Sequence, residues 1–163
     1  SIGAEEKKMG MKGSSTTSLI FQNAKVPVKN LLYKVGKGAA VAFNTLNIGR
    51  FKLGASCLGG SKQIINRTSQ YANERRAFGQ SIANFDAIIK KIAEMTVRTF
   101  ATDSMIYRTI GLLQAEIDLL DKSSKDYYSK MGEAMEKYAI ETSMVKVYGT
   151  ERSEEHTSEL QSQ

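Results

Sequence analysis

From about residue 39 onward, apolar side chains recur every three or four positions in three long runs, the spacing of helices that bury one face. The first run, about Ala39 to Tyr71, carries Phe43, Leu46, Leu53, Cys57, Gly60 and Ile64 on one stripe, with Arg50 interrupting it. A second, about Asn84 to Leu113, places Phe85, Ile88, Ile89, Ile92, Met95, Thr99, Ile106, Ile110 and Leu113 together, and Gln114 to Lys122 is a candidate continuation. Ser123 and Asp126 have the spacing of a capping box, and a third helix follows with Met131, Met135, Tyr138, Thr142, Val145 and Tyr148 at the same interval. Three long amphipathic helices with short connections predict a mainly α protein, an incomplete antiparallel four-helix bundle with a further helix outside the sequence.

Upstream the pattern changes. Ser14 to Ser18 is a polar turn region, Leu19 to Phe21 a short strand, and Gln22 to Lys25 a reversal into Val26-Pro27. So few strands make no sheet of their own, so the segment reads as the end of a β-domain lying before Ser1. The expected organisation is residues 1–35 as that β-domain end, 36–151 as the helical bundle, and 152–163 as a non-native tail. The tail resembles the in-frame translation of a sequencing-library adapter; being polar and without periodicity, it is expected to be disordered or frayed. The start lacks an initiator methionine and any basic-then-apolar targeting pattern, which suits an internal cut.

Composition narrows the chemistry. At 41% hydrophobic and 25% charged over 163 residues, the chain resembles an ordinary globular domain, and no apolar run approaches the roughly 20 residues of a membrane span. The only histidine, His156, lies in the tail, which removes histidine-based triads, metals and acid/base catalysis from the native part. The single Cys57 can form no internal disulfide and reads as a packed thiol of a reducing compartment. Setting aside residues 152–163 removes Arg152, Glu154, Glu155 and Glu159 and raises the formal net charge from +6 to +8. That balance suits an anionic partner such as a phosphate-rich cofactor, coenzyme A or nucleic acid. The charges are spread rather than striped and no nucleic-acid reading motif is present, so a basic nucleic-acid-binding module is the remote alternative.

Two places carry candidate chemistry. The connection Asn73-Glu74-Arg75-Arg76-Ala77-Phe78-Gly79-Gln80 puts two guanidinium forks, an aromatic ring and a glycine into one short stretch. Guanidinium groups bind phosphate oxygens bidentately, a ring offers a flat surface to a base or flavin, and glycine admits close approach. The other is Arg50, whose charge on an apolar stripe needs a carboxylate, carbonyl or phosphate, or must snorkel to water.

The order of landmarks then resembles a known family: Val26-Pro27 with Asn30-Leu31-Leu32, Gly36-Lys37-Gly38, Asn47-Ile48-Gly49-Arg50, Arg75 with Phe78-Gly79, and Phe85 followed by Ile92-Ala93-Glu94-Met95. Over residues 6 to 151 the chain is similar to the acyl-CoA dehydrogenases. The resemblance implies the end of a middle β-barrel-like domain joined to most of a C-terminal helical domain, taken from a tetrameric enzyme with FAD at its subunit interfaces. It implies that Arg75 reaches the FAD pyrophosphate of a neighbouring subunit, that Phe78 and Phe85 contact the same cofactor, and that Asp86 stands where relatives often carry a glutamine that binds it. Asn47, Ile48, Gly49 and Arg50 match the segment lining the acyl-CoA site, with Arg50 ordering the active-site loop.

The activity so implied is α,β-dehydrogenation of an acyl-CoA thioester in fatty-acid β-oxidation, with electrons passing through FAD to an electron-transferring flavoprotein. An acyl-CoA oxidase or flavin monooxygenase on the same fold is the sister reading. Some members keep the catalytic glutamate one residue before the arginine, where this chain has Gly49; the commoner position lies beyond Glu151, so no catalytic base is assigned. The implied setting is the bacterial cytoplasm or the mitochondrial matrix, and no metal is called for.

Overall fold

The computed structural model describes the backbone of residues 1–161 and the side chains of residues 1–151. The tail 152–163, expected to be disordered or frayed, instead has a helical backbone continuous with the last helix as far as Gln161, and residues 162–163 lie outside the described residues. The chain divides into two compact units, Ser1–Gly38 and Ala39–Gln163.

In the first unit, β1 (Ile2–Glu5) pairs antiparallel with β2 (Thr17–Leu19), with Ile2 opposite Leu19 and Glu5 opposite Thr17, so one strand carries an irregularity. The strand expected at Leu19 to Phe21 is thus shifted towards the N-terminus. The reason is Glu5, whose carboxylate accepts from Thr16 N at 2.6 Å and Ser15 Oγ at 2.8 Å and fixes the pairing around Thr17. Those two donors, the Thr16 amide first, hold the Glu5 carboxyl below the usual carboxylate range. Asn23, at φ +51°, makes the expected reversal, and a single 3-10 turn, Val28–Asn30, follows Pro27.

The second unit is helical. α1 (Gly38–Glu74) runs for 37 residues to a small hairpin, β3 (Arg76–Ala77) with β4 (Gln80–Ser81), which leads through a 3-10 turn into α2 (Asp86–Asp118). α3 (Tyr127–Lys137) and α4 (Ala139–Gln161) complete the described residues. Lys62 meets Asp103, while Glu116 meets Tyr138 and a Cβ on Gly149 would approach Thr102, so α2 runs antiparallel both to α1 and to the α3–α4 arm. Leu58, Ile106 and Val145, one from each long helix, form the buried core, with Ala55, Met105 and Ile110 packed against it.

Glycine sets the distance between α1 and α4. A Cβ on Gly54 would lie 2.5 Å from Val145 Cγ1, and one on Gly149 would lie 3.3 Å from Gly54 Cα, so the backbones cross with no room for a side chain at either position. This close crossing rotates α1 relative to the expected stripe. Its buried positions are Asn47, Gly54, Leu58, Ser61 and Ala72, whereas Phe43, Leu46 and Leu53 are exposed, Phe43 by 64%. The correction is physical: beside Leu58, small and polar residues take the inside of α1 around the close crossing at Gly54, and Phe43, Leu46 and Leu53 lie on the outer flank. On α2 and the α3–α4 arm the expected faces hold in the main, with Met95, Thr99 and Ile106 buried on one and Tyr138, Thr142 and Val145 on the other, although Ile89 of the expected α2 stripe is exposed.

Two further expectations change. Ser123 does not cap the third helix: its amide and hydroxyl both donate to Asp121, at 2.9 and 2.6 Å, closing an Asx turn. Asp126 occupies the N-cap position, and the Ser124 hydroxyl donates to it. The third helix is also interrupted, at Tyr138 (φ −99°, ψ 22°). There the hydroxyls of Thr142 and Ser143 both donate to the Ala139 carbonyl, at 3.1 and 2.6 Å, a back-bonding that bends helices. Glu116 secures the bend by accepting from Tyr138 Oη at 2.9 Å and from the Lys137 ammonium. These two donors, Lys137 first, lower the Glu116 carboxyl from its ordinary value, and the hydrogen bond to Glu116 in turn raises the Lys137 and Tyr138 groups from theirs.

Candidate functional site

The stretch between α1 and α2 is a two-residue hairpin rather than an open loop. Arg76 pairs with Ser81 and Ala77 with Gln80, and the turn residues Phe78 and Gly79 have φ +51° and +83°, the left-handed pair that two-residue hairpins need. Glycine adopts this freely; phenylalanine does so against steric strain of about 1 to 2 kcal/mol. The base of the hairpin is tied down on both sides, by Ile82 N donating to Arg75 O at 2.9 Å and Ser81 Oγ donating to Ala72 O at 2.7 Å. Ala72 at that junction is buried to 2% exposure.

On this base stands Phe78, 97% exposed, its ring meeting Phe85 edge to face with centroids 6.2 Å apart. Arg75 is exposed at the foot of the same hairpin, and Arg76 Nη2 donates to Gly79 O at 3.0 Å. The structure thus brings Phe78 and Phe85 together, with the Arg75 backbone at the base of the same hairpin. Asp86 opens α2 as the acidic residue of its first turn and is exposed. A carboxylate there is favoured by the positive end of the helix, so it takes the place another anion would be offered.

The second predicted cluster lies in the first third of α1. Asn47 is buried and accepts from Arg50 Nη1 at 2.8 Å through Oδ1. This satisfies the arginine's need for a partner by a route the residue pattern did not reveal. Arg50 lines an open groove of about 640 Å3 whose other walls are Met105 of α2 and a row on α4: Ala139, Ile140, Ser143, Met144, Val147, Tyr148 and Glu151. Ile48, half-buried, and Gly49, exposed, do not line it. The α4 row was missed in the sequence, although its signal exists: Ile140, Met144 and Val147 form a second apolar stripe beside the buried Tyr138, Thr142 and Val145. The groove can receive an apolar body with an anionic or carbonyl group at the Arg50 end.

The structure does not unite the two clusters. Arg50 and Arg75 are separated by about 25 residues along α1, about 37 Å at 1.5 Å per residue. A smaller cavity of about 250 Å3, lined by Lys62, Ile65, Thr96, Thr99, Phe100 and Asp103, lies between them along the helix. Thr99 Oγ1 and Asp103 Oδ1 are buried there without a protein partner, beside the Lys62–Asp103 ion pair at 3.1 Å. Among the described residues, no group of His, Cys, Asp and Glu is placed to hold a metal ion, and no helix is long and apolar enough to cross a membrane.

A helical bundle carrying an arginine-aromatic hairpin at one end and an arginine-bearing apolar groove towards the other can be compared with known proteins. The family model described as "Acyl-CoA dehydrogenase, C-terminal domain" matches residues 36–161, and the chain belongs to the acyl-CoA dehydrogenase family. It is 44% identical over 151 residues to a "Probable acyl-CoA dehydrogenase" of Bacillus subtilis (strain 168), covering 93% of this chain and 25% of that protein. With the "Very long-chain specific acyl-CoA dehydrogenase, mitochondrial" of Rattus norvegicus it shares 37% identity over 157 residues, 96% of this chain and 21% of the relative. Among solved structures, an acyl-CoA dehydrogenase from Bacillus anthracis complexed with FAD superposes with a TM-score of 0.83 at 43% identity, over 98% of this chain and 27% of that one. The chain therefore spans about a quarter of the length of these relatives.

Proposed function

We propose that this chain is the FAD-gripping and acyl-CoA-facing part of an acyl-CoA dehydrogenase that oxidises the α,β bond of an acyl-CoA thioester to a trans-2-enoyl-CoA. The observation that carries the proposal is the hairpin: a strained, almost fully exposed phenylalanine beside an exposed arginine, on a base fixed by backbone and serine hydrogen bonds. An exposed aromatic held in left-handed backbone is the kind of local strain that persists where a ligand uses it.

The residues fit the cofactor the family implies. Arg75 is placed to pair with a pyrophosphate, the Phe78 ring to stack or pack on a planar group, and Phe85 to support that ring. Asp86 fits less well, since its carboxylate repels phosphate at short range; its role is to occupy the N-terminus of α2 and direct the pyrophosphate to Arg75. When bound, FAD supplies the acceptor for the hydride leaving the β-carbon. The chain's own contribution is to hold the cofactor and to face the acyl-CoA with the Asn47-Ile48-Gly49-Arg50 segment, of which Arg50 lines the groove and Asn47 orients the Arg50 guanidinium. The helix length between the clusters supports a hairpin that serves the flavin of another subunit, and with it a homo-oligomer, a tetramer as in the family reading. The catalytic glutamate is not assigned to a residue of this chain, and an electron-transferring flavoprotein is the expected electron acceptor.

The test is an anaerobic titration of the full-length protein carrying this sequence with acyl-CoA thioesters of graded length. Bleaching of the flavin band, followed by reoxidation with an electron-transferring flavoprotein, is the expected course. Rapid reoxidation by oxygen with peroxide release, and none by the flavoprotein, would instead identify an oxidase.

A further inference from the structure

Arg76 has no part in the cofactor contacts described above, yet its guanidinium folds back over the turn and donates from Nη2 to Gly79 O at 3.0 Å. We propose that Arg76 is a positioning residue: its guanidinium clamps the Phe78-Gly79 turn and thereby holds the Phe78 ring outward and Arg75 free for the flavin. The inference rests on the cofactor reading of the hairpin and adds to it a residue whose function is carried by hydrogen-bond donation rather than charge.

Three observations converge on it. First, the hairpin has only two residues in each strand, so its ladder alone gives little resistance to unfolding. Second, Phe78 sits at φ +51° in a conformation that a bulky side chain leaves readily, and at 97% exposure its ring gains little from burial. Without a further tie the turn would relax and the ring would swing away from its aromatic neighbour Phe85. Third, the tie is present: Gly79 O, the last carbonyl of the turn, is bonded across it by the side chain that enters the first strand. Arg75 and Arg76 thus divide the work between a group that faces outward and one turned inward on the loop. Two adjacent arginines with one sequence signature have different chemistry because one of them finds a backbone acceptor three residues on.

The experiment uses the full-length protein and three variants, Arg76→Met, Arg76→Gln and Arg76→Lys, with two readouts. The first is the flavin dissociation constant. The second, made on flavin-free protein, is hydrogen exchange in the peptide spanning residues 75–85. The clamp predicts that Arg76→Met speeds exchange in that peptide and weakens flavin binding about fivefold, the scale of one lost neutral-acceptor hydrogen bond. Arg76→Gln and Arg76→Lys, which keep a donor, recover both to within about twofold. Unchanged exchange in Arg76→Met would overturn the clamp. So would recovery of flavin affinity by lysine but not by glutamine, because it would make Arg76 a phosphate contact. Failure of the cofactor reading is separable from either result: it would appear as unaltered flavin affinity in Arg75→Ala, whatever the exchange of the Arg76 variants.

Discussion

The hairpin at Arg75 to Phe85 and the groove at Arg50 are two sites on one helix built by opposite means. Every tie in the hairpin is local: Ala72, Arg75, Gly79, Ser81 and Ile82 exchange hydrogen bonds over at most nine residues. The groove, in contrast, exists only because α1, α2 and α4 meet, and its walls come from positions 50, 105 and 139–151. A local site keeps its shape when the bundle is strained, whereas an assembled one changes with the crossing that creates it. The difference teaches where each function is vulnerable.

The largest expected effect breaks the assembled site. Gly54→Val places methyl groups where Val145 Cγ1 already lies and is expected to cost about 3 kcal/mol in urea unfolding, the upper end for overpacking. The same variant should leave hydrogen exchange across residues 75–82 unchanged; matching acceleration there would show the two sites to be one cooperative unit. Next in size, Asn47→Ala removes the buried acceptor for Arg50 Nη1 and should cost about 1.5 kcal/mol while weakening acyl-CoA binding in the full-length protein. Ser81→Ala sharpens the other side. Loss of its bond to Ala72 O should open the hairpin locally by about 1 kcal/mol, read from exchange of the Ile82 amide, with little change in the global unfolding midpoint.

The smallest effect is a pH dependence at the bend. Glu116 titrates below its ordinary value because Lys137 and Tyr138 donate to it, so its stabilisation is present above the unfolded carboxylate range and is lost as pH falls through the folded value. Glu116→Gln should therefore flatten the acid limb of a stability-against-pH curve below the usual carboxylate range and leave the hairpin unaffected. A mirror-image loss on the alkaline side belongs to Lys137, whose raised value keeps its contribution in place until pH passes the lysine range.

The same contrast explains what could be read from the residues. Helix periodicity alone placed the faces of α2 and the α3–α4 arm, because Met95, Ile106, Tyr138 and Val145 are large apolar residues and burial follows their spacing. It misplaced the inner face of α1, because at Gly54, Ser61 and Ala72 the inside is taken by residues that admit close approach, and a hydrophobic pattern has no symbol for that. Arg75 and Phe78 were legible as candidates because their chemistry lies within a few residues. The left-handed Phe78 was not, since only pairing of Arg76 with Ser81 creates the two-residue turn. Arg50 was legible as a charge in need of a partner, whereas the Asn47 Oδ1 that supplies one was not, and the groove Arg50 lines needed α4 to be in place. Ser123 failed as a cap for a local reason: its amide and hydroxyl both donate to Asp121, two residues earlier, and the helix starts only at Tyr127 with Asp126 at its N-cap.

The central claim is that the hairpin serves the flavin and the Arg50 cluster serves the acyl-CoA. Measuring the flavin dissociation constant and the acyl-CoA dissociation constant of full-length Arg75→Ala and Arg50→Ala tests it most directly. The prediction is a crossed result: Arg75→Ala loses flavin about tenfold or more and, once saturated with it, binds acyl-CoA normally, while Arg50→Ala retains flavin and loses acyl-CoA affinity. Equal effects of both variants on both ligands, or flavin loss from Arg50→Ala alone, would contradict it.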